Sequence, residues 1–338
     1  MNIPATVIAA LISFGVTTLL GFVTIPALKR LKFGQTILDI GPVWHKKDKQ
    51  GTPTMGGIMF IAGIAVAFAA GFAMAHSAGL ITFQQSDTMN IVHAVSGIIM
   101  ALMFGFIGFI DDFIKVKKKQ NEGLTANQKI VLQVLVIAAY FTVRVLAGDT
   151  STEIAFPFLG SLDLWYFYYI VMGLAILYLV NAVNLTDGVD GLCSSVTFVY
   201  SVVFIVITAM FQSYGLTVLA AAVAGGCLGF LIWNFHPAKV FMGDTGSMFF
   251  GGIVVALGIG ANAEFIMVVA SAVYIWEALT VLIQMIYFKI THGKRLFKMT
   301  PIHHSFEIRG WKEVKIVVVF SLIAAAAGIL SVLLVKGL

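Results

Sequence analysis

Charge is scarce in this chain. Of its 338 residues, 11% are Asp, Glu, Lys or Arg and 59% are hydrophobic. A soluble domain carries about 25% charged residues. The deficit excludes a water-facing globule, so the formal net charge of +5 says nothing for nucleic acid, and no nucleic-acid partner is expected. Cysteine is nearly missing too. Cys193 and Cys227 lie in apolar runs without CxxC spacing, and they are expected as small buried packing residues. The sequence lacks GxxxxGK[ST], which excludes a Walker loop. It lacks the DxDxDG order and the glutamate of an EF-hand. No basic n-region precedes the first apolar run, and Lys29 and Arg30 follow it at once, which suits a stop-transfer anchor rather than a cleaved leader. There is no internal repeat and no separable soluble segment.

What is present is long apolar runs. Ten of them, near 4–28, 54–76, 92–110, 129–147, 164–183, 192–211, 215–235, 247–262, 265–289 and 314–336, are long enough to cross a bilayer as helices. They lack the polar alternation of a barrel, so helices satisfy the backbone. The chain is therefore expected to be an all-α polytopic membrane protein, one integral-membrane domain over 1–338. With the segment after the first span placed in the cytoplasm, 19 of the 21 basic residues fall inside or on inside flanks; Arg144 and Lys336 do not. That asymmetry places both termini outside. The longest outer loop, 148–164, alternates around Pro157 and Gly160 and predicts a small hairpin.

The inside segments hold nearly all the unusual residues. HKKDKQGTPTMGG, His45 to Gly57, joins lysines to a Gly-Thr-Pro-Thr turn. Exposed N–H groups, Thr hydroxyls and lysines suit phosphate oxygens; a topological anchor followed by a turn explains the same letters. FGFIGFIDDFIKVKKK, Phe104 to Lys119, ends an apolar run on Asp111 and Asp112. Carboxylates at a helix C-terminus are unfavourable, so a solvated helix end explains the lysines but not the aspartates. Adjacent positions point about 100° apart, so the two need not share a partner. Lys129 follows in GLTANQK.

NAVNLTDGVDGL repeats Asn181, Asn184, Asp187 and Asp190 every third residue. An N-cap uses one Asx residue, not four, so an oxygen-rich interhelical connection is expected. NFHPAKVFMGDTGS sets Asp244 between Gly243 and Thr245, either as an N-cap or at a close backbone approach. THGKRLFKMTPIHHSFEIRGW has His303 and His304 after Pro301. KRLFK reads as an interfacial amphipathic helix, and the histidines beside Lys298 and Arg309 read as an anion site rather than a zinc site.

Together, Asp111, Asp112, Asp187, Asp190 and Asp244, with lysines and two histidines, gather at one membrane face. Such carboxylates suit Mg²⁺, which also takes substrate phosphates, and the cations suit phosphoryl transfer. An enzyme acting on phosphates at the cytoplasmic face is expected. An ion-coupled transporter is the rival, but it would place ionisable groups near the midplane, where Glu277 is the strong candidate.

GTPTMGG, GFIDD, NLTDGVDGL, FMGDTGS and PIHHSFE resemble the signatures of the phospho-N-acetylmuramoyl-pentapeptide transferase family, in the polyprenyl-phosphate N-acetylhexosamine-1-phosphate transferase superfamily. GTPTMGG and PIHH favour this branch over the GlcNAc-1-phosphate relatives. The resemblance implies transfer from UDP-MurNAc-pentapeptide to undecaprenyl phosphate, giving lipid I and UMP for peptidoglycan synthesis, with Mg²⁺, in the bacterial cytoplasmic membrane, by a homodimer. It implies catalytic roles for Asp111, Asp112, Asp244, His303 and His304. It implies metal binding by Asp244, Asp111 and Asp112. Substrate binding is implied for Lys49, Thr54, Lys129, Asn184, Asp187, Asp190, Asn234 and Phe241. It also implies a ninth helix that bends near Glu277 to frame a groove for the lipid tail. Where the family has a third histidine this chain has Ser305, expected to be peripheral. Direct displacement and a covalent aspartyl intermediate both stay open.

Overall fold

The computed structural model describes residues 3–31, 49, 51–81, 88–118 and 122–338. Lys32, His45, Lys46, Lys47 and Lys119, expected above as inside cations or phosphate contacts, lie outside these. Among the described residues ten helices are long and apolar enough to cross a membrane. They are α1 (Ile3–Arg30), α2 (Gly57–Ser77), α3 (Thr88–Lys118), α4 (Ala126–Leu146), α5 (Phe167–Thr186), α6 (Leu192–Met210), α7 (Tyr214–Asn234), α8 (Gly243–Gly260), α10 (Ala272–Ile290) and α12 (Glu313–Val335). Two short helices, α9 (Glu264–Ala270) and α11 (Ile302–Ile308), complete the set. The loop before α5 is a two-stranded antiparallel hairpin, β1 (Glu153–Phe156) with β2 (Gly160–Asp163), Glu153 facing Asp163. This matches the expected hairpin.

The core is α7 and α8, the two most buried spans. Both are rich in small residues, and close backbone approach is the reason. A Cβ on Gly225 would meet Ala10 O of α1 at 2.0 Å, and one on Gly251 would meet Val180 Cα of α5 at 2.7 Å. Small residues let helices pack closely where lipid supplies no hydrophobic drive. Cys193 and Cys227 are buried and unpaired, as expected.

Four features differ from the expectation. The third span does not stop at residue 110. It runs on to Lys118, so Asp111 and Asp112 are interior to a helix rather than at its tip. The extension is held by a Lys115–Asp111 pair at 2.6 Å, one turn apart, and by basic residues in the last turn, where the dipole favours them. The eighth helix starts earlier, at Gly243, which brings Asp244 into its first turn. The ninth span is interrupted at Ser271, six residues before Glu277. KRLFK is not helical. His292 and Gly293 take positive φ, and Gln284 Oε1 accepts from Leu296 N at 3.0 Å and Phe297 N at 2.8 Å, which folds the loop back onto α10.

At the opposite end from the aspartates, a buried ionic knot ties α3, α4 and the α8–α9 turn. Asp149 accepts from Arg144 Nε at 2.6 Å and lies 2.8 Å from His93 Nε2. Arg144 also reaches Ile259 O and Asn262 Oδ1, each at 3.3 Å. Burial pushes the Asp149 carboxyl up, but His93 and Arg144 outweigh it and hold it down to about 2. A depressed carboxylate adds stability above its unfolded value, lost as pH falls through the folded one. The thermal-stability gap between wild type and Asp149→Asn should therefore be full above pH 4 or so and shrink as pH drops toward 2. Equal stability of the two proteins at pH 6 would exclude this role.

Candidate active site

The site is assembled where α3, α4, α5 and α8 meet. A segment pairing prepares it. Phe241 N donates to Pro53 O at 2.8 Å, Gly56 N to Phe241 O at 2.8 Å and Gly57 N to Met242 O at 3.0 Å. So GTPTMGG is docked alongside VFMG, and this explains its letters. A Cβ on Gly57 would meet Gly246 at 2.5 Å. Gly243 has φ +71°, and a Cβ there would meet Asp112 Oδ2 at 2.4 Å and Thr54 Oγ1 at 2.8 Å. Glycine is required there on both counts.

Adjacent aspartates have separate partners, as the helical geometry requires. Asp112 turns to the start of α8. Its carboxylate accepts from Asp244 N at 3.2 Å, Thr245 N at 2.9 Å and Thr245 Oγ1 at 2.7 Å. Met242, the residue at the cap position, makes no side-chain cap bond. Asp112 therefore caps α8 from another helix, satisfying N–H groups that would otherwise be orphaned. Asp111 turns to α4. It accepts from Leu124 N at 2.8 Å and pairs with Lys115 at 2.6 Å and Lys129 at 3.3 Å. Lys129 is placed by a capping box in which Thr125 and Gln128 bond reciprocally at the start of α4.

Asp244 joins the two halves. It accepts from Lys129 at 2.9 Å, Lys115 at 3.1 Å and Asn184 Nδ2 at 3.0 Å. Asn184 also donates to Ser247 at 2.8 Å. One carboxylate oxygen from each of Asp111, Asp112 and Asp244 lies within 4.8 Å of the others. Three hard oxygen donors so close fit a divalent cation of the Mg²⁺ kind. Asp111 and Asp112 are buried, while the Asp244 side chain is 20% exposed, making it the carboxylate that opens outward.

A second cluster centres on Lys49. Its ammonium lies between Asp190 Oδ1 at 2.7 Å and Glu313 Oε2 at 2.8 Å. Burial pulls the Lys49 pKa down, but Glu313 and Asp190 outweigh it and hold it above the usual lysine value. Asp190 also accepts from Ala238 N at 3.0 Å and lies 3.2 Å from His236 Nδ1. Asn234 supports this loop from beneath, accepting from Gly191 N at 3.1 Å and donating to Val240 O at 3.0 Å. Asp187 lies between the clusters. Burial pushes its carboxyl up to about 8, and the charges of Asp244, Asp112 and Asp190 push the same way.

The histidines are placed differently from the expectation. His303 is fully buried, with Nδ1 3.0 Å from Glu277 Oε2, and it lies against Gly188. His304 Nδ1 is 2.6 Å from Glu307. Ser305 forms a latch: its hydroxyl donates to Met299 O at 2.5 Å and accepts from Met299 N at 3.1 Å. Asn181 is inside α5 and bonds Gln133 of α4 at 2.9 Å, away from both clusters. Lys115, Glu313 and His236 were not among the expected site residues. Lys115 was legible as the i+4 partner of Asp111, had the helix been extended; nothing in the sequence marked Glu313.

This arrangement can be set beside known proteins. The Phospho-N-acetylmuramoyl-pentapeptide-transferase signature 1 matches residues 49–61, the segment of Lys49 and GTPTMGG. The Glycosyl transferase family 4 model matches residues 94–262, which carry Asp111 through Asp244. A phospho-N-acetylmuramoyl-pentapeptide-transferase of Desulforamulus reducens is 45% identical over 317 residues, 92% of this chain and 90% of the relative. The chain belongs to the phospho-N-acetylmuramoyl-pentapeptide-transferase family. Relatives of that name from Acetivibrio thermocellus and Clostridioides difficile are 44% and 43% identical, over 94% and 96% of this chain and 92% and 96% of their own length. The family is one of transferases, so the transporter reading is set aside.

Proposed function

We propose that the protein transfers phospho-MurNAc-pentapeptide from UDP-MurNAc-pentapeptide to undecaprenyl phosphate, giving lipid I and UMP. The observation that carries this is the meeting of Asp111, Asp112 and Asp244 with Lys115 and Lys129, in a chain of this family. The setting is the bacterial cytoplasmic membrane, with the site at the cytoplasmic face, both termini outside and two chains forming a dimer.

In the proposed step a phosphate oxygen of the lipid attacks the phosphorus that bears MurNAc. The bond from that phosphorus to the UMP oxygen breaks, and UMP leaves with the electron pair. Mg²⁺ held by Asp244, Asp111 and Asp112 supplies charge neutralisation on the diphosphate when bound. Asp111 orients the incoming lipid phosphate or takes its proton. Lys115 and Lys129 offset negative charge in the transition state, where such stabilisation is the main contribution. Asn184 fixes Asp244, and Asp112 fixes the helix that carries Asp244. Lys49 and Asp190, with Asp187, Asn234 and Phe241, hold the nucleotide end, and Thr54, beside Asp112 at Gly243, contacts the substrate as well. In this reading His304 contacts the phosphates, and His303 acts beneath the loop that carries Asp187.

The test is UMP release from UDP-MurNAc-pentapeptide with undecaprenyl phosphate, before and after EDTA. We expect release only with both substrates and a divalent cation. Release without the lipid acceptor would replace direct displacement with a covalent aspartyl route. No release under any cation would remove the proposed reaction.

A further inference from the structure

The last turn of α10 and the loop from it to α11 carry four cations in ten residues, Lys289 on the helix and Lys294, Arg295 and Lys298 on the loop, with no acidic residue between Glu277 and Glu307. All four are exposed. Of the other described cations at this end, Lys49, Lys115 and Lys129 pair with carboxylates and Lys239 and Lys315 lie over Trp233 and Trp311, while Lys29, Arg30, Lys117, Lys118, Arg309 and Lys312 are exposed. The loop is also built rather than loose. Gln284 holds the N–H groups of Leu296 and Phe297, and Ser305 holds both the N–H and the carbonyl of Met299. These bonds use backbone and leave the basic side chains outward.

The apolar context gives the second half. The last turns of α10 expose Met285 (63%), Ile286 (59%), Phe288 (47%) and Ile290 (71%). This helix is membrane-spanning and ends at Ile290. The exposed apolar flank therefore ends at Ile290, and the cations lie on the last turn and on the loop that follows. Basic clusters next to a spanning helix attract anionic headgroups, each cation contributing a factor of about five near the surface.

We propose that this loop and the flank of α10 form a docking surface for the anionic phospholipids of the bilayer, headgroup phosphate on Lys289, Lys294, Arg295 and Lys298 and acyl chain along Met285–Ile290. The surface lies on the helix that the resemblance gives as a frame for the lipid-tail groove, and it adds a lipid contact distinct from Lys115 and Lys129.

The experiment uses the full chain in phosphatidylcholine vesicles with spin-labelled phosphatidylglycerol or spin-labelled phosphatidylcholine. Wild type should prefer phosphatidylglycerol about tenfold or more at low salt, and the preference should collapse in high salt, where surface charges are screened. A variant with Lys289, Lys294, Arg295 and Lys298 all replaced by Gln should fall below about twofold. Swapping Lys for Arg and Arg for Lys at the same four positions should keep the preference, which separates lost charge from lost fold. A control replacing Lys29, Arg30, Lys117 and Lys118 by Gln should also keep it. The proposal is overturned if the loop variant retains the preference, if the control loses it equally, or if only undecaprenyl phosphate, and not phosphatidylglycerol, is selected.

Discussion

Asp244→Asn and Asp111→Asn will each slow UMP release by about a hundredfold to a thousandfold, while Asp112→Asn will first reduce thermal stability. The distinction follows from where each carboxylate points. Lys115, Lys129 and Asn184 all donate to Asp244, and its side chain opens outward. Asparagine keeps its size and removes its charge, so Lys115 and Lys129 are left with the charge of Asp111 alone between them and a cation loses an anionic ligand. Asp111 is buried and holds the same two lysines from the other side. Its loss releases the positions of both. Asp112 makes three bonds to Asp244 and Thr245 at the start of α8. An amide offers one acceptor oxygen instead of two, so at least one helix N–H is stranded, at about 1–3 kcal/mol. Steady-state kinetics and thermal unfolding of the three variants check this. Rates like wild type in Asp111→Asn and Asp244→Asn would take the cluster out of the chemistry. An unchanged melting point in Asp112→Asn would take away its capping role.

The spans were legible because a bilayer permits few solutions. A run of about 20 apolar residues has to be a helix, so element type and number followed from letters. Helix ends were not legible in the same way, since hydropathy reports where lipid stops and not where the helix stops. That is why α3 was expected to end at Asp111 and instead continues to Lys118. Once it continues, the awkward pair of carboxylates becomes ordinary: one faces Lys115 a turn away and the other faces a helix N-terminus. The Asx repeat in NAVNLTDGVDGL misled in part for a related reason. A three-residue spacing suits a helix as well as a loop, and Asn181 and Asn184 turned out to lie in α5. Glu313 could not be found from the sequence at all. It reaches Lys49 across 264 positions, and no local pattern encodes such a contact.

The histidines give the second large effect. Gly188→Ala should cost activity at least about tenfold, through His303. A Cβ on Gly188 would lie 2.2 Å from His303 Nε2 and 2.8 Å from Cε1. The ring cannot retreat freely. It is fully buried, Glu277 holds Nδ1 at 3.0 Å, and the His304 ring is 4.1 Å away between centroids. The loop must give instead, and that loop carries Asp187 on one side of Gly188 and Asp190 on the other. Moving Asp190 disturbs the 2.7 Å contact to Lys49, so nucleotide KM should rise along with the fall in kcat. The cause is testable apart from the effect. In a His303→Ala background the clash is absent, and Gly188→Ala should then cost little beyond the first substitution. Contacting residues show such non-additivity. Costs that simply add in the double variant would mean that Gly188 is needed for its backbone freedom alone, and that the buried histidine does not set the position of the aspartate loop.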